Sequence, residues 1–306
     1  MKPGRVWFLT AAVVALTACA SSTAASDDNL NEQLKTRYAN QVLMLRHFYK
    51  GDHLSFQADG TLLGTADVGP WTVDGRVLVK NIELKGNVLQ IQGRRIHLFF
   101  DDKTKAFRDV LDYLEEASKV PVKQRKKDRD KNAQSTPQWE DLKNHYLNQS
   151  VEIDIALVGD NPGVQEISAG LTTVFVKPTE SQADIVPDFW RDYFDKAEGT
   201  PTRPPQSTDA IYRVEPGKVL PPRATYAPEP EFSEYAMPVK FQGTVTCGVV
   251  VDVLGRPTEI RIISPIGLGL DEKAVEAISK WKFEPAKKSG KPVSVAIAIE
   301  VDFHLN

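Results

Sequence analysis

The segment 267–305, "GLGLDEKAVEAISKWKFEPAKKSGKPVSVAIAIEVDFHL", decides the fold of the C-terminal end, because two hydrophobic periods meet in it. Leu270, Ala274, Ile278 and Trp281 recur at three- and four-residue spacing, with Val275 and Ala277 widening the stripe. Glu272, Lys273, Glu276 and Lys280 fall on the other side, which is the pattern of an amphipathic helix. Asp271 stands where an N-cap carboxylate would accept a backbone N–H. Pro285 lacks a donor and biases Glu284 away from helical angles, so the helix is expected to finish by about Phe283. "KKSGKP" then turns the chain, and the period becomes two. Val293, Val295, Ile297, Ile299, Val301, Phe303 and Leu305 take one face of a strand, with Ser294, Glu300, Asp302 and His304 on the other. Each apolar side chain buried there contributes roughly 1.5–3 kcal/mol, so a one-residue slip of register is costly.

Working upstream, "GTVTCGVVVDVLGRPTEIRIISP" alternates again. Val245, Cys247, Val249 and Val251 share a face, Leu254-Gly255 marks a turn, and Ile260 and Ile262 lie on the return, which together read as a hairpin. The order strand, strand, helix, strand predicts an α+β domain in which one helix covers a three-stranded antiparallel sheet. Such a sheet has free edges, and an edge strand carries unpaired backbone groups that an added strand can satisfy.

The run from Tyr226 to Leu305 resembles the C-terminal domain of the TonB energy-transducer family, over about residues 218–306. The residues that carry the resemblance are Pro230 to Glu234, Gln242-Gly243-Thr244-Val245, the Asp252 to Gly255 turn, Leu270-Asp271-Glu272, Trp281 to Ala286, and Gly290-Lys291-Pro292-Val293. The resemblance implies a periplasmic interaction protein that grips an extended segment of an outer-membrane, TonB-dependent receptor by strand addition to its last strand. Carried onto this sequence, the partner-binding edge is Val293, Val295, Ile297, Ile299, Val301 and Phe303. The same edge could pair with a second copy of the chain.

The N-terminus departs from that family's pattern. Lys2 and Arg5 precede an apolar run from Val6 to Leu16, too short to span a bilayer and of the kind that directs secretion. Leu16-Thr17-Ala18-Cys19 resembles a bacterial lipobox, so residues 1–19 are read as a signal peptide and Cys19 as the lipidated residue. Ala20 in place of an Asp then favours the outer membrane over the inner. Energising members of the family use an uncleaved membrane helix bearing a His and a long Pro-rich spacer, and the first twenty residues here hold no His. The alternative expectation is therefore an envelope lipoprotein that reuses the domain as a docking scaffold without energy transduction.

Residues 28–196 are expected to form a second α+β domain of unassigned family. A helix is predicted over residues 28–50, with Leu34, Tyr38, Val42, Leu45 and Tyr49 along one stripe and Gly51 as its C-terminal stop. Turn pairs such as Asp59-Gly60, Gly69-Pro70 and Gly86-Asn87 punctuate residues 53–107 as an antiparallel meander, with "VLQIQGRRIHLFF" as a hairpin. Residues 107–119 and 139–148 read as helices, Val151 to Val158 and Leu171 to Val176 as strands, and "ADIVPDFWRDYFDKA" as an aromatic amphipathic segment. "VKQRKKDRDKNAQSTPQ" reads as a solvated connector, and the Pro-rich stretch 197–217 as the linker into the last domain. Trp71, beside a turn, admits two readings: a sugar-stacking platform or, more commonly, a core plug.

Composition excludes several classes. A chain of 306 residues with 41% hydrophobic residues and a net charge of −3 can bury two cores and has no attraction to polyanions, so no nucleic-acid partner is expected. With Cys19 lipidated, Cys247 has no partner and is expected to be a buried, inert thiol. There is no Gly-x-Ser-x-Gly elbow, P-loop or Gly-x-Gly-x-x-Gly motif, and the five His are scattered. No enzyme activity, catalytic residue, cofactor or metal is therefore expected.

Overall fold

The structure, a computed structural model, describes residues 27–119, 139–201 and 210–305, and the chain divides into two compact units. The first comprises 1–98 with 102–180, and the second 99–101 with 181–306. The signal peptide, Cys19, the basic run after Lys119 and the Pro-rich 202–209 lie outside the described residues.

The first unit is built on β1 (Val42–Met44), β2 (His53–Phe56), β3 (Leu62–Leu63), β4 (Arg76–Lys85), β5 (Val88–Arg95) and β8 (Ser150–Ala156). A further strand, β7 (Ala106–Asp109), lies outside its main sheet, and β6 (Leu98–Asp101) begins at the boundary of the unit, with residues 99–101 in the second. The helices of the first unit are α1 (Asp27–Tyr38), α2 (Trp71–Asp74), α3 (Val110–Lys119), α4 (Trp139–Leu147) and α5 (Val164–Val174). The sheet runs β1, β4, β5, β8, β2, β3. The meander expected over 53–107 is corrected by this order. β2–β3 and β4–β5 are hairpins, but β8, from beyond residue 107, stands between them, antiparallel to β5 and parallel to β2. β5 offers an uninterrupted ladder from Val88 to Arg94, and β8 matches it residue for residue.

Alternation sets the faces. Leu54, Phe56, Val77, Val79, Leu89, Ile91, Val151, Ile153 and Ile155 are buried with Leu34, Ile167, Leu171 and Val174 of the helices in one core. A bulge between Val79 and Asn81 rephases β4, so that Ile82 returns to the core side despite the odd spacing. Asn31 fastens α1 to β4 by exchanging hydrogen bonds with the backbone of Leu84.

Three local expectations give way in this unit. The helix predicted over residues 28–50 ends at Tyr38, because Asn40 takes a left-handed conformation (φ 63°) and Val42–Met44 pair with β4 as β1. Residues 171–176, read as a strand, lie mostly in α5, whose Ile167, Gly170, Leu171 and Val174 recur at helical spacing and are buried. Gly170 permits the close seat, since a Cβ there would stand 2.5 Å from Leu157 Cδ2. "VLQIQGRRIHLFF" is not a hairpin in itself: Val88–Arg95 is one strand, β5, the second arm of the β4–β5 hairpin. Gly93 is no turn residue but a point of close approach, where a Cβ would lie 2.5 Å from Val77 Cγ1 and 2.7 Å from Leu78 O. Trp71 is the core plug: it is 1% exposed and meets Phe107 edge-on at 4.9 Å, which leaves no face for a sugar.

The second unit contains α6 (Asp188–Glu198), α7 (Leu270–Ser279) and β9 (Ile211–Arg213), β10 (Val219–Leu220), β11 (Arg223–Tyr226), β12 (Gly243–Val251), β13 (Pro257–Ser264), β14 (Lys282–Glu284), β15 (Ala286–Lys288) and β16 (Lys291–Phe303). Its main sheet runs β10, β15, β16, β12, β13, with β9 also on β16, and β11 pairs with β14 separately. The sheet is thus larger than the three strands expected. The aromatic segment 183–197, assigned by sequence to the domain ending at 196, packs within this unit, and the C-terminal part of the expected linker forms β9.

The helix is shorter than expected. α7 stops at Ser279, and Trp281 turns its indole N–H to the carbonyl of Pro228 at 3.1 Å, while Phe283 is carried into β14. Gly269, not Asp271, precedes the helix as its cap, with φ 73°.

Candidate functional site

β16 is the longest strand of the chain's second unit, and its two sides differ. Along one side β12 pairs with it continuously, from Val251 opposite Val295 to Gly243 opposite Phe303. On the other side β15 takes residues 291–293, with Ala286 opposite Val293, and β9 takes 294–296, with Tyr212 opposite Val295. Beyond Ala296 that side ends: among the described residues, 297–303 is paired to β12 alone. Backbone donors and acceptors on the outer side of about seven residues are therefore open to an added strand.

The other long border of the sheet is not open in this way. α6 lies against β13, joined to it by the salt bridge of Arg261 Nη1 with Asp192 Oδ2 at 2.9 Å. Trp190, fully buried, donates to Glu272 Oε1 at 2.9 Å and fixes α6 to α7 as well. The helix holds its place by the apolar stripe that the sequence shows in Trp190 and Phe194, and Gly199 ends it in a left-handed conformation (φ 73°).

The six residues assigned to the edge fall into two groups. Val295, Ile299, Val301 and Phe303 are buried, and Val293 and Ile297 are half-buried. Their side chains build the core rather than a contact surface, and Phe303 meets Phe232 edge-on at 5.7 Å. What they present along the edge is backbone. Ala296, Ala298, Glu300 and Asp302, on the opposite face of the same strand, are exposed, and Asp302 accepts a hydrogen bond from the Thr244 hydroxyl. The period-two pattern that placed the odd residues inside also places these four outside.

A loop at the other end of the domain is clamped by a carboxylate. Asp271, completely buried in the first turn of α7, accepts the backbone N–H of Ile266 at 2.9 Å and of Gly267 at 2.7 Å. Burial raises its pKa to about 7, against the opposing pull of those N–H groups. Ser233 donates its hydroxyl to Leu268 O at 2.6 Å, so the Pro230 to Glu234 motif secures the same loop. Asp271 thus works one step away from its expected role: it ties down the residues before the helix. The hairpin turn is held likewise, with Asp252 Oδ1 accepting the N–H groups of Leu254 and Arg256, each at 2.9 Å. Cys247, on the core face of β12, is buried, and burial pushes its thiol up to about 12.

In the first unit, His53 on the exposed sheet face has Ser55 Oγ at 3.2 Å, Glu152 Oε2 at 3.5 Å and Asp154 Oδ2 at 3.5 Å. It is a flat cross-strand cluster. Among the described residues no three or more His, Cys, Asp or Glu are arranged to hold a metal ion. Nor, among them, is any helix long and apolar enough to cross a membrane.

The second unit is thus a small α+β assembly with one side of its last strand open, and over most of this unit the sequence is similar to known domains. Residues 228–305 match the family described as Gram-negative bacterial TonB protein C-terminal. Protein tonB2 of Pseudomonas aeruginosa is 38% identical over 80 residues, which are 26% of this chain and 30% of that protein. Protein TonB of Vibrio cholerae is 33% identical over 78 residues, 25% of this chain and 32% of that one. The solution NMR structure of the Pseudomonas aeruginosa TonB C-terminal domain is matched at 17% identity and a TM-score of 0.24, over 31% of this chain and 97% of that one. The chain spans less than a third of the length of the curated relatives it matches.

Proposed function

We propose that this chain is a TonB-like interaction protein of the cell envelope that binds an extended segment of an outer-membrane receptor and serves TonB-dependent transport. The segment adds as a strand to the outer side of β16 over residues 297–303. One observation carries the reading: the open backbone lies on the last strand of the unit whose sequence matches the TonB C-terminal family. The residues facing the partner's neighbours are then Ala298, Glu300 and Asp302, while Ile299, Val301 and Phe303 hold the strand flat against its core. No catalytic step is required of such a protein.

The test is titration of the chain with peptides from the N-terminal segments of TonB-dependent receptors of the same organism. Saturable binding, lost when the peptide backbone is N-methylated at alternate residues, supports strand addition; equal binding by the methylated peptide contradicts it.

The proposed anchor is lipid on Cys19, placing the domain at the periplasmic side of the outer membrane. A Cys19→Ser chain should move from the membrane fraction to the soluble periplasmic fraction. Continued sedimentation with the membrane would contradict the anchor.

A further inference from the structure

β9 occupies the same side of β16 that the proposed partner would use. It runs parallel, with Ile211 opposite Ser294, Tyr212 opposite Val295 and Arg213 opposite Ala296. The open stretch begins at the next residue, Ile297. β9 is three residues long, and none of them is buried: Ile211 and Tyr212 are half-buried and Arg213 is exposed. Its visible side-chain tie is the Tyr212 ring beneath Lys288 Nζ, 4.2 Å from the centroid. β12, on the opposite side, contributes nine paired positions and the fully buried Val245, Cys247 and Val251. A short parallel strand with so little burial belongs to the low-stability end of a fold, the part that opens without the rest.

The chain around β9 suits such opening. Directly after it, a turn closed by Lys218 N–H and Val219 N–H on Glu215 O, at 3.0 and 2.9 Å, with Gly217 at φ 77°, leads into β10. β10 has its own pairing, with β15, so it stays attached when β9 leaves. Gly217 supplies a conformation that other residues adopt at a cost, and the turn can serve as the hinge.

We propose that β9 is an internal occupant of the partner edge, which covers residues 294–296 in the free chain and is displaced when a partner strand of more than about seven residues docks. The inference rests on the strand-addition reading above. It adds that apparent affinity is set by competition with the chain's own residues 211–213. An occupant that must leave lowers apparent affinity by the fraction of chains in which the edge is clear.

The test uses the full chain in a Cys19→Ser background, with a ten-residue receptor-segment peptide as probe. Arg213→Cys with Ala296→Cys, opposite each other in register, tethers β9 when oxidised and frees it when reduced. Tyr212→Pro fixes the backbone angle at the middle of β9 and removes the Tyr212 ring from Lys288, which loosens β9 without touching the β12 side. The oxidised double variant should bind about tenfold more weakly than its reduced form, and Tyr212→Pro about tenfold more tightly than the parent. Equal affinity in all of these states, with the peptide binding, would overturn the role of β9 and leave strand addition standing. No binding to any state, with a folded chain by circular dichroism, would overturn strand addition and this inference with it.

Discussion

Trp190 donates its indole N–H to Glu272 Oε1 at 2.9 Å, which joins α6 to the first turn of α7 although the two residues lie 82 positions apart. The bond makes α6 part of the C-terminal unit and puts a helix beside β13, the border of the sheet that would otherwise be exposed.

Removing that anchor should be felt at once. Trp190→Ala empties a fully buried site and should cost about 3–5 kcal/mol in denaturant unfolding. Trp190→Phe, which keeps most of the volume but loses the donor, should cost less. A Trp190→Ala chain with unchanged unfolding midpoint would show that α6 is not packed on the unit.

Gly93→Ala should destabilise the first unit by about 1–3 kcal/mol, since the new methyl would overlap Val77 Cγ1 and approach Leu78 O. Adding Val77→Ala should recover part of the loss, because one of the two clashing groups is then gone. Additive losses in the double variant would argue against that contact.

Asp271 makes stability depend on pH. Its folded pKa of about 7 lies above the unfolded value near 3.8, so between these values the folded state holds more protons. The stability this contributes is full below about pH 4, falls as pH rises towards 7 and is lost above it, a swing of at most about 4 kcal/mol. Asp271→Asn removes the titration, so the stability difference between parent and variant should change between pH 4.5 and pH 8. A difference that is constant across this range would mean that Asp271 does not titrate there in the folded chain.

Cys247 should resist thiol reagents. Buried on the β12 core face and with its thiol pushed up to about 12, it should react at pH 8 only after denaturant is added. A Cys19→Ser chain leaves this as the one thiol to count, and prompt reaction of the native protein would contradict the packing of β12 on α7.

The sequence is most legible where one period runs long. From Val295 to Phe303 β16 alternates without interruption, and the faces these residues take follow from Val295, Ile299, Val301 and Phe303 being apolar, whereas Ser294 is buried beside Val295. Legibility fails where local signals mislead. Val42 and Leu45 continue the spacing of α1, yet Asn40 breaks the helix, and only pairing with β4 decides that Val42–Met44 is a strand. Thr172, Thr173 and Val174 favour strands on their own, and burial against β8 overrides them. Asp271 resembles an N-cap because short-range position alone does not show that Ile266 and Gly267 turn back onto it. An edge on β16 is readable from the sequence, but not its open extent: that β9 and β15 take residues 291–296 depends on pairings across more than eighty residues in one case and a tight hairpin in the other.

Strand addition at β16 is tested most directly by residue-resolved amide hydrogen exchange of the chain, free and with a receptor-segment peptide. In the free chain, alternate amides of 297–303, those facing away from β12, should exchange quickly while their neighbours are protected. Peptide should slow those outward amides selectively. Binding that leaves their exchange unchanged, with new protection elsewhere, would contradict the assignment of this edge as the partner site.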